Sequence, residues 1–347
     1  MGRLLALALA RAGHRVSLYD QQGADAQGSA ARVAAAMLAP LAESAVTEPG
    51  VVRMGEHALV RWPQLLAQLP EPVFFQQNGT LVVWHRQDAA DAARLRLQFE
   101  TTRTTVPTLP AMEALGSERL TTLEPALAGR FAQGMYLPGE GQLDNRQLLA
   151  ALAHALVQAG VTTHWNTPRE VTDFAPGTAG QPHWLLDCRG LGARHQWSAL
   201  RGVRGEVVRV HAPEVTLQRP TRLVHPRYPI YIAPKDFFFN DTATTEIESD
   251  DLSPASVRSA LELMSAAYAV HSGFAEARIV EIATQCRPTL PDNLPAVRQS
   301  APRVLEINGL YRHGFMIAPA MLDVVLQLLS TGQSPLAATF DLSVQLL

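Results

Sequence analysis

The stretch MGRLLALALARAGHRVSLYD, residues 1–20, decides the fold class. Its apolar first half predicts a buried helix that ends at Gly13, and Arg15–Asp20 predicts a short strand that ends in an acid. A helix, a glycine turn, a strand and an acid form the second half of a βαβ nucleotide-binding unit, whose acid binds a ribose hydroxyl. Asp20 lies 18 residues after Gly2, close to the spacing of that motif. An ordinary helix–strand pair is the alternative reading of these residues.

The glycine-rich loop of such a unit is incomplete here. Gly2 takes the position of the third glycine of GxGxxG, the one that lets the helix pack closely on the strand. The first strand and the first two glycines would precede Met1. We therefore expect the unit to lack its first strand in this chain.

Similar pieces recur in the middle and at the end of the chain. Asn145–Ala159 predicts an amphipathic helix closed by Gly160, and Val161–Trp165 and Trp184–Asp187 predict strands. Pro319–Leu329 predicts the last helix, with proline in its first turn. The intervening stretches are rich in strands, among them a hairpin at Phe74–Trp84 with Asn78-Gly79 as its turn, and further strands at Glu206–Val210 and Leu223–Ala233.

This pattern predicts an α/β protein, α+β overall, made of two interleaved domains. A Rossmann-like nucleotide-binding domain would comprise residues 1–45, 145–205 and 300–347. A substrate domain built on a mixed or antiparallel β-sheet would be inserted twice, at residues 46–144 and 206–299.

Composition excludes several classes of function. The 347 residues carry a net charge of −3 with a pI near 6.4, so bulk charge does not indicate a nucleic-acid-binding protein. The two cysteines form no CxxC motif and the histidines show no metal spacing, so we expect no metal site. No apolar run reaches the ~18 residues of a membrane helix, and the chain reads as cytoplasmic. A homo-oligomer is compatible with the sequence.

Residues 237–247, Phe-Phe-Phe-Asn-Asp-Thr-Ala-Thr-Thr-Glu-Ile, look foreign to the rest of the chain. Three of the 11 phenylalanines are consecutive here, in a chain whose basic residues are arginines except for Lys235. The stretch 240–247 also back-translates to a string that matches a common short-read sequencing adapter. We interpret the segment as an artefact that overwrites a native strand; an aromatic edge strand with a polar turn is the alternative.

Four motifs carry a resemblance to a known family. They are Met37-Leu-Ala-Pro40, Tyr231-Ile-Ala-Pro234, Cys286-Arg-Pro-Thr-Leu-Pro-Asp-Asn293 and Asn308-Gly-Leu-Tyr-Arg-His-Gly-Phe-Met-Ile-Ala-Pro319. Together with the N-terminal unit they resemble the D-amino-acid oxidase superfamily of FAD enzymes, and within it the glycine oxidases of thiamine biosynthesis. The resemblance covers nearly the whole chain.

The resemblance implies an FAD cofactor and names the residues that would bind it. The FAD-binding residues would be Gly2, Asp20, Gln21, Ala35, Ala36, Met37, Leu310, Tyr311, Arg312, His313, Gly314, Phe315 and Met316. The carboxylate of a small amino-acid substrate would bind Tyr231, Arg287 and Arg312. A guanidinium group offers paired N–H donors that match a carboxylate, and a tyrosine hydroxyl adds a third donor.

The implied reaction is oxidation of glycine or another small amino acid or amine by hydride transfer to flavin N5. O2 would reoxidise the flavin and give H2O2. Because such a transfer needs orientation more than an acid–base side chain, no catalytic histidine is expected. Since the amine reacts in its neutral form, activity should rise with pH. The alternatives are a D-amino-acid dehydrogenase that passes electrons to a quinone, and a truncated product that binds no flavin.

Overall fold

The computed structural model describes residues 1–225, 230–243 and 247–347. Over these residues the chain forms ten α-helices and eighteen strands in four sheets. The helices are α1 (Gly2–Arg11), α2 (Ala30–Val33), α3 (Pro40–Glu43), α4 (Pro49–Leu66), α5 (Ala89–Thr105), α6 (Ser117–Leu123), α7 (Asn145–Gln158), α8 (Val257–Val270), α9 (Gly314–Thr331) and α10 (Pro335–Thr339). The strands are β1 (Ser17–Tyr19), β2 (Met37–Leu38), β3 (Phe75–Gln76), β4 (Thr80–Val83), β5 (Glu113–Gly116), β6 (Gln133–Leu137), β7 (Gly141–Leu143), β8 (Thr162–His164), β9 (Leu185–Asp187), β10 (Arg201–His211), β11 (Thr221–Leu223), β12 (Ile230–Pro234), β13 (Phe239–Ala243), β14 (Ile247–Glu248), β15 (Arg278–Thr289), β16 (Ala296–Ala301), β17 (Val304–Asn308) and β18 (Ser343–Gln345).

Helix–strand units with parallel strands form one part of the molecule. α1 leads into β1 and α7 leads into β8, and β1 and β8 pair in parallel. A four-stranded sheet in the order β18-β16-β17-β9 contains two further parallel pairs. Parallel strands need a crossover connection, which is usually a helix. The α/β class is confirmed, and so are the helices and strands predicted at 1–20, 145–165 and 184–187.

A nine-stranded, mixed sheet forms the other part, and its two faces differ in character. β10 pairs with β15 along its whole length, and its other edge pairs with β14 and with β13, after which β12, β11, β4, β6 and β5 follow. On one face, Leu81, Val208 and Ile232 pack with Leu263 and Val270 of α8 in a buried apolar cluster. The opposite face carries polar and charged side chains, among them Arg222 and Arg287, and is apolar at Val82 and Met135.

α4 and α9 share the core of the helix–strand part. α4 lies within the stretch 46–144, yet Met54 of this helix packs in one cluster with Met321 of α9 and Leu5 of α1. A second contact joins the two helices: the fully buried Trp62 Nε1 donates to the carbonyl of Phe315, 2.9 Å away.

That tryptophan contact explains an error in the prediction for the last helix. The predicted helix begins at Pro319, whereas α9 begins five residues earlier at Gly314 and α10 follows it. Proline has no N–H to bond the carbonyl four residues before it, so it normally excludes a helix interior. Here that carbonyl belongs to Phe315 and accepts the Trp62 indole instead. Tertiary packing therefore supports a proline inside the helix.

α9 and the turn before it are also the one candidate for a membrane-crossing helix in the part of the chain that the structure describes. Tyr311–Thr331 is long and apolar enough to cross a membrane by length and composition alone. Of its most apolar 18-residue stretch, however, 56% is buried inside the protein, as is usual for a core helix.

The predicted hairpin at Phe74–Trp84 is wrong. Gly79 does make the predicted turn, with φ +83°, and the Tyr136 ring occupies the space that a side chain there would need. The two arms, however, do not pair with each other. Phe75 lies opposite Leu143 of β7, and Thr80 lies opposite Leu137 of β6. Because β3 pairs with β7 and β4 pairs with β6, the two arms belong to different sheets.

A hairpin joins β12 to β13 within the segment that looks foreign by composition. Phe237 and Phe238 occupy consecutive left-handed positions, with φ of 55° and 63°, and both are exposed. Such positions in a hairpin turn favour Asn-Gly rather than large side chains. The local sequence therefore does not match the local backbone. Residues 244–246 of this segment, and residues 226–229 of the strand predicted at Leu223–Ala233, lie outside the described residues.

Candidate active site

The polar face of the large sheet carries two of the predicted carboxylate-binding residues. Opposed residues of antiparallel strands point to the same face, and so do residues two apart on one strand. Arg222 lies opposite Tyr231, which is linked through β13 to Val207 of β10. Arg287 lies opposite Val203, four residues from Val207 along the same strand. Tyr231, Arg222 and Arg287 therefore share one face.

This face is bonded directly to the segment 28–43, which precedes and includes α3. Three side chains make the contacts: Arg222 Nη1 donates to the Ala42 carbonyl (2.6 Å), Lys235 Nζ to the Ala35 carbonyl (2.6 Å) and Gln285 Nε2 to the Gly28 carbonyl (3.0 Å). The sheet thus holds the Ala-rich run against it along its length. The predicted flavin-contacting residues lie in that run.

Glu43, at the end of α3, is the centre of a buried charge cluster. Its Oε2 lies 2.7 Å from Arg312 Nε, and its Oε1 accepts from Arg312 Nη2 at 3.3 Å. His313 Nε2 lies 3.3 Å from Oε2. Burial alone would raise the pKa of Glu43, but Arg312, together with His313 and Arg222, holds that pKa well below its usual range. Glu43 is therefore a buried carboxylate anion.

Positive charge exceeds negative charge around this carboxylate. Two guanidinium groups, Arg312 and Arg222, act on the single Glu43 anion. Glu140 lies close to Glu43, but its burial raises its pKa to about 7, so much of its charge is lost near neutral pH. Buried cations in excess favour an added anion, and a carboxylate matches guanidinium geometry.

Tyr231 completes the cluster from β12. Its hydroxyl is buried beside the carboxylate of Glu43, close enough to interact with it. Burial raises the pKa of Tyr231 above its ordinary value, so the hydroxyl keeps its proton and can donate it in a hydrogen bond. The Arg222 guanidinium lies 5.4 Å from the centre of its ring. A hydroxyl that keeps its proton beside the Arg222 and Arg312 guanidinium groups can donate to a bound carboxylate.

Arg287 lies further along the same face, on β15. Its Nη1 donates to the carbonyl of Arg204 at 3.2 Å, which lays the guanidinium across the neighbouring strand β10. β15 packs against the turn Tyr311–His313 that carries Arg312. The structure thus brings Tyr231 and Arg312 together around Glu43 and places Arg287 on the same face, beside that turn.

The predicted cofactor residues of the N-terminal half lie at the start of α1, after β1, and in the segment from α2 to β2. Asp20 follows β1, with its Oδ1 accepting from the Gln22 amide at 2.9 Å, and Gln21 lies beside it. Gly2 begins α1 beneath Cys188, which follows β9. Ala35 and Ala36 lie between α2 and β2, Met37 begins β2, which pairs with β7, and Ala36 has a left-handed backbone with φ 52°. Such strain in a buried non-glycine residue is typical of functional loops.

The C-terminal cofactor residues, Leu310–Met316, form a tight turn that leads into α9. Tyr311 is left-handed, with φ 49°. No side-chain hydrogen bond caps the start of α9 among the described residues, and a methyl group built on Gly314 would meet no atom within 4 Å. The space beside Gly314, at the N-terminus of this 18-residue helix, is therefore open. A positive helix end suits the anionic edge of a reduced flavin, so these residues fit the FAD that the sequence implies.

Four polar residues of this site were not predicted from the sequence: Glu43, Glu140, Arg222 and Lys235. Lys235 donates to the carbonyls of Ala35 and Leu143, and its burial lowers its pKa to about 8. The available signal was weak. Glu43 follows the motif Met37-Leu-Ala-Pro40 in an apolar stretch, and Arg222 sits inside a strand, where an unpaired charge would be costly.

A nucleotide-type helix–strand layer faces the polar side of a large sheet, and a buried cationic cluster lies between them near an open helix N-terminus. This arrangement fits a cofactor-dependent oxidoreductase of the flavin class. Comparison with known proteins agrees. A family model described as FAD dependent oxidoreductase (DAO) matches residues 1–327.

Named relatives cover nearly the whole chain. A putative thiamine biosynthesis oxidoreductase ThiO from Rhizobium etli is 40% identical over 333 residues, which are 96% of this chain and 94% of the relative. A glycine oxidase from Geobacillus kaustophilus is 27% identical over 350 residues, 92% of this chain and 87% of the relative. The crystal structure of glycine oxidase from Geobacillus kaustophilus superimposes with a TM-score of 0.80 at 25% identity, over 98% of this chain and 94% of that one. The chain belongs to the DAO family of FAD-dependent oxidoreductases, and its cofactor is FAD.

Proposed function

We propose that this protein oxidises glycine or another small amino acid, with O2 as the electron acceptor. The C–N bond of the amine loses two electrons and two protons and becomes an imine, which water converts to an oxo acid and ammonia. O2 takes up the two electrons and two protons and becomes H2O2. FAD, when bound, supplies the two-electron acceptor for the α-carbon hydride. The name of the Rhizobium etli relative supports a role in thiamine biosynthesis.

The excess of buried positive charge around Glu43 carries this proposal. A substrate carboxylate would add the missing anion, with Arg312, Tyr231 and Arg287 as donors. Fixing the carboxylate at these groups orients the α-carbon, and orientation can lower the barrier of such a transfer substantially. The cofactor contacts at Asp20, the Ala-rich run and Leu310–Met316 belong to the same proposal.

The test is steady-state turnover of the flavin-loaded protein with glycine in air. We expect H2O2 and glyoxylate in equal amounts. Arg287→Met should raise the KM for glycine about 10- to 100-fold, because a hydrogen bond to a charged group contributes about 1.5–3 kcal/mol. Arg278→Met is the matched control, since Arg278 lies on the same strand but is exposed and donates to the nearby Glu276 carbonyl at 3.1 Å.

Three outcomes would contradict the proposal. Oxidation that needs a quinone and yields no H2O2 would make the protein a dehydrogenase. If the protein oxidises neither glycine nor any other small amino acid, the proposed substrate class is wrong. Equal KM values for Arg287→Met and Arg278→Met would remove Arg287 from the binding site.

A further inference from the structure

Gly205 occupies the one place on β10 where the guanidinium of Arg287 crosses the strand. A methyl group built on Gly205 would lie 2.3 Å from Nη2, 2.4 Å from Cζ and 2.6 Å from Nη1 of Arg287. Real contacts of this kind do not fall below about 3 Å, so any side chain at position 205 would displace the guanidinium.

The backbone conformation gives no reason for a glycine at this position. Gly205 is not among the residues with positive φ, and it lies in the middle of an eleven-residue strand. Glycine in a strand interior costs about 0.5–1 kcal/mol relative to alanine, and it often marks a close approach of another group. The close approach here is that of the Arg287 guanidinium.

The neighbouring contacts fix this position relative to the cofactor segment. Gly205 lies opposite Gln285 of β15, and Gln285 Nε2 donates to the Gly28 carbonyl at the start of the Ala-rich run. On the opposite face of β10, Arg204 donates to the Asp251 carbonyl at 2.6 Å and to the Pro254 carbonyl at 3.2 Å, and β10 pairs with β15 along its length, which holds the strand in place. The backbone of β10 therefore cannot withdraw from an added side chain, but the flexible end of Arg287 can.

We propose that Gly205 is a positioning residue for amino-acid recognition: the lack of a side chain there lets the Arg287 guanidinium lie across β10 and meet the substrate carboxylate. This inference rests on the proposed function. An added methyl group would move only a flexible side-chain end, so its cost in stability is small. The displaced guanidinium would instead lower the affinity of the site for the substrate carboxylate.

The test compares Gly205→Ala with wild type and with Gly116→Ala, as flavin-loaded proteins. Gly116 is a suitable control because it has negative φ and a methyl group there would meet nothing within 4 Å. We expect Gly205→Ala to raise the KM for glycine about tenfold or more and to lower kcat by a smaller factor, which matches the loss of roughly one charged hydrogen bond. Flavin content and thermal midpoint should match those of Gly116→Ala.

A double-mutant cycle separates this inference from the proposed function. In an Arg287→Met background there is no guanidinium to displace, so adding Gly205→Ala should change the KM by less than about twofold. Penalties that multiply in the double variant, or a KM for Gly205→Ala within about twofold of wild type, would overturn the inference. If Arg287→Met alone leaves the KM unchanged, the proposed substrate site itself fails.

Discussion

Replacing Glu43 with glutamine should destabilise the protein strongly, because the carboxylate is the counter-charge of a buried cluster. Arg312 and Glu43 side chains are only 14% and 10% exposed, and their closest N–O distance is 2.7 Å. The variant would leave Arg312 and Arg222 in a poorly solvated site without an anion. Glutamine fills nearly the same volume and keeps one oxygen as an acceptor, so the change removes charge rather than shape.

The magnitude follows from the burial of the pair. Removing one partner of a buried ion pair costs about 3–5 kcal/mol, because the remaining charge stays desolvated. Since the glutamine oxygen retains a hydrogen bond to Arg312, we expect about 3 kcal/mol for Glu43→Gln. At roughly 2 °C per kcal/mol for a chain of this size, the thermal midpoint should fall by about 6 °C.

The matched control is Glu100→Gln. Glu100 pairs with Arg96 at 3.6 Å on the surface of α5, where the two side chains are 50% and 56% exposed. Exposed pairs of this spacing contribute about 0.3–0.5 kcal/mol, so this variant should shift the midpoint by about 1 °C or less. Thermal unfolding of the flavin-loaded proteins at pH 7 measures both. A loss for Glu43→Gln no larger than that for Glu100→Gln would refute the account of the cluster.

The pH dependence of the same variant gives an independent check. The folded-state pKa of Glu43 is depressed, so its contribution is present above the unfolded pKa of about 4.3 and is lost as the pH falls through the folded value. The difference between wild type and Glu43→Gln should therefore persist from pH 8 to 5 and be lost only below about pH 4, with a smaller change between pH 5 and 7 because the charge of Glu43 also helps to raise the pKa of Glu140. A difference that disappears between pH 6 and 8 would contradict this assignment.

Two further predictions concern stability. Burial raises the pKa of Glu140 to about 7, so the native state binds a proton that the unfolded chain releases, and stability is lost as the pH rises from about 4.5 to 7, by at most about 3 kcal/mol. Glu140→Gln keeps an acceptor oxygen and cannot titrate, so urea midpoints should favour the variant increasingly from pH 5 to 8; a constant difference would contradict this. The double change Phe237→Asn and Phe238→Gly should stabilise the β12–β13 hairpin by about 1–2 kcal/mol, because it relieves two left-handed non-glycine residues. An unchanged or lower thermal midpoint would show that these aromatic side chains make compensating contacts.

The fold was predictable where local signals and the family motifs agree. The helix at Asn145–Gln158, for example, has a capping acid before it and a left-handed glycine, Gly160, after it. Prediction failed where a distant contact decided the outcome. Trp62 donates to the Phe315 carbonyl and so admits Pro319 into α9, and no local pattern reveals a bond across more than 250 residues.

The candidate site shows the same limit. The motifs predicted Tyr231, Arg287 and Arg312 as site residues. They did not predict Glu43, the buried carboxylate around which Tyr231 and Arg312 lie. That residue lies in a different segment, and only the folded chain brings it beside Arg312. The role proposed for Gly205 could not be predicted from the sequence either, because it depends on the Arg287 side chain that lies over this glycine in the folded chain.

Anaerobic mixing of the flavin-loaded protein with glycine tests the central claim most directly. The claim is that an FAD-bound site between the large sheet and α9 removes two electrons from a small amino acid. It predicts that glycine bleaches the visible flavin absorbance without O2, that glyoxylate forms in an amount equal to the flavin reduced, and that the colour returns with air. A flavin band that dithionite bleaches, but that neither glycine nor any other small amino acid changes, would contradict it.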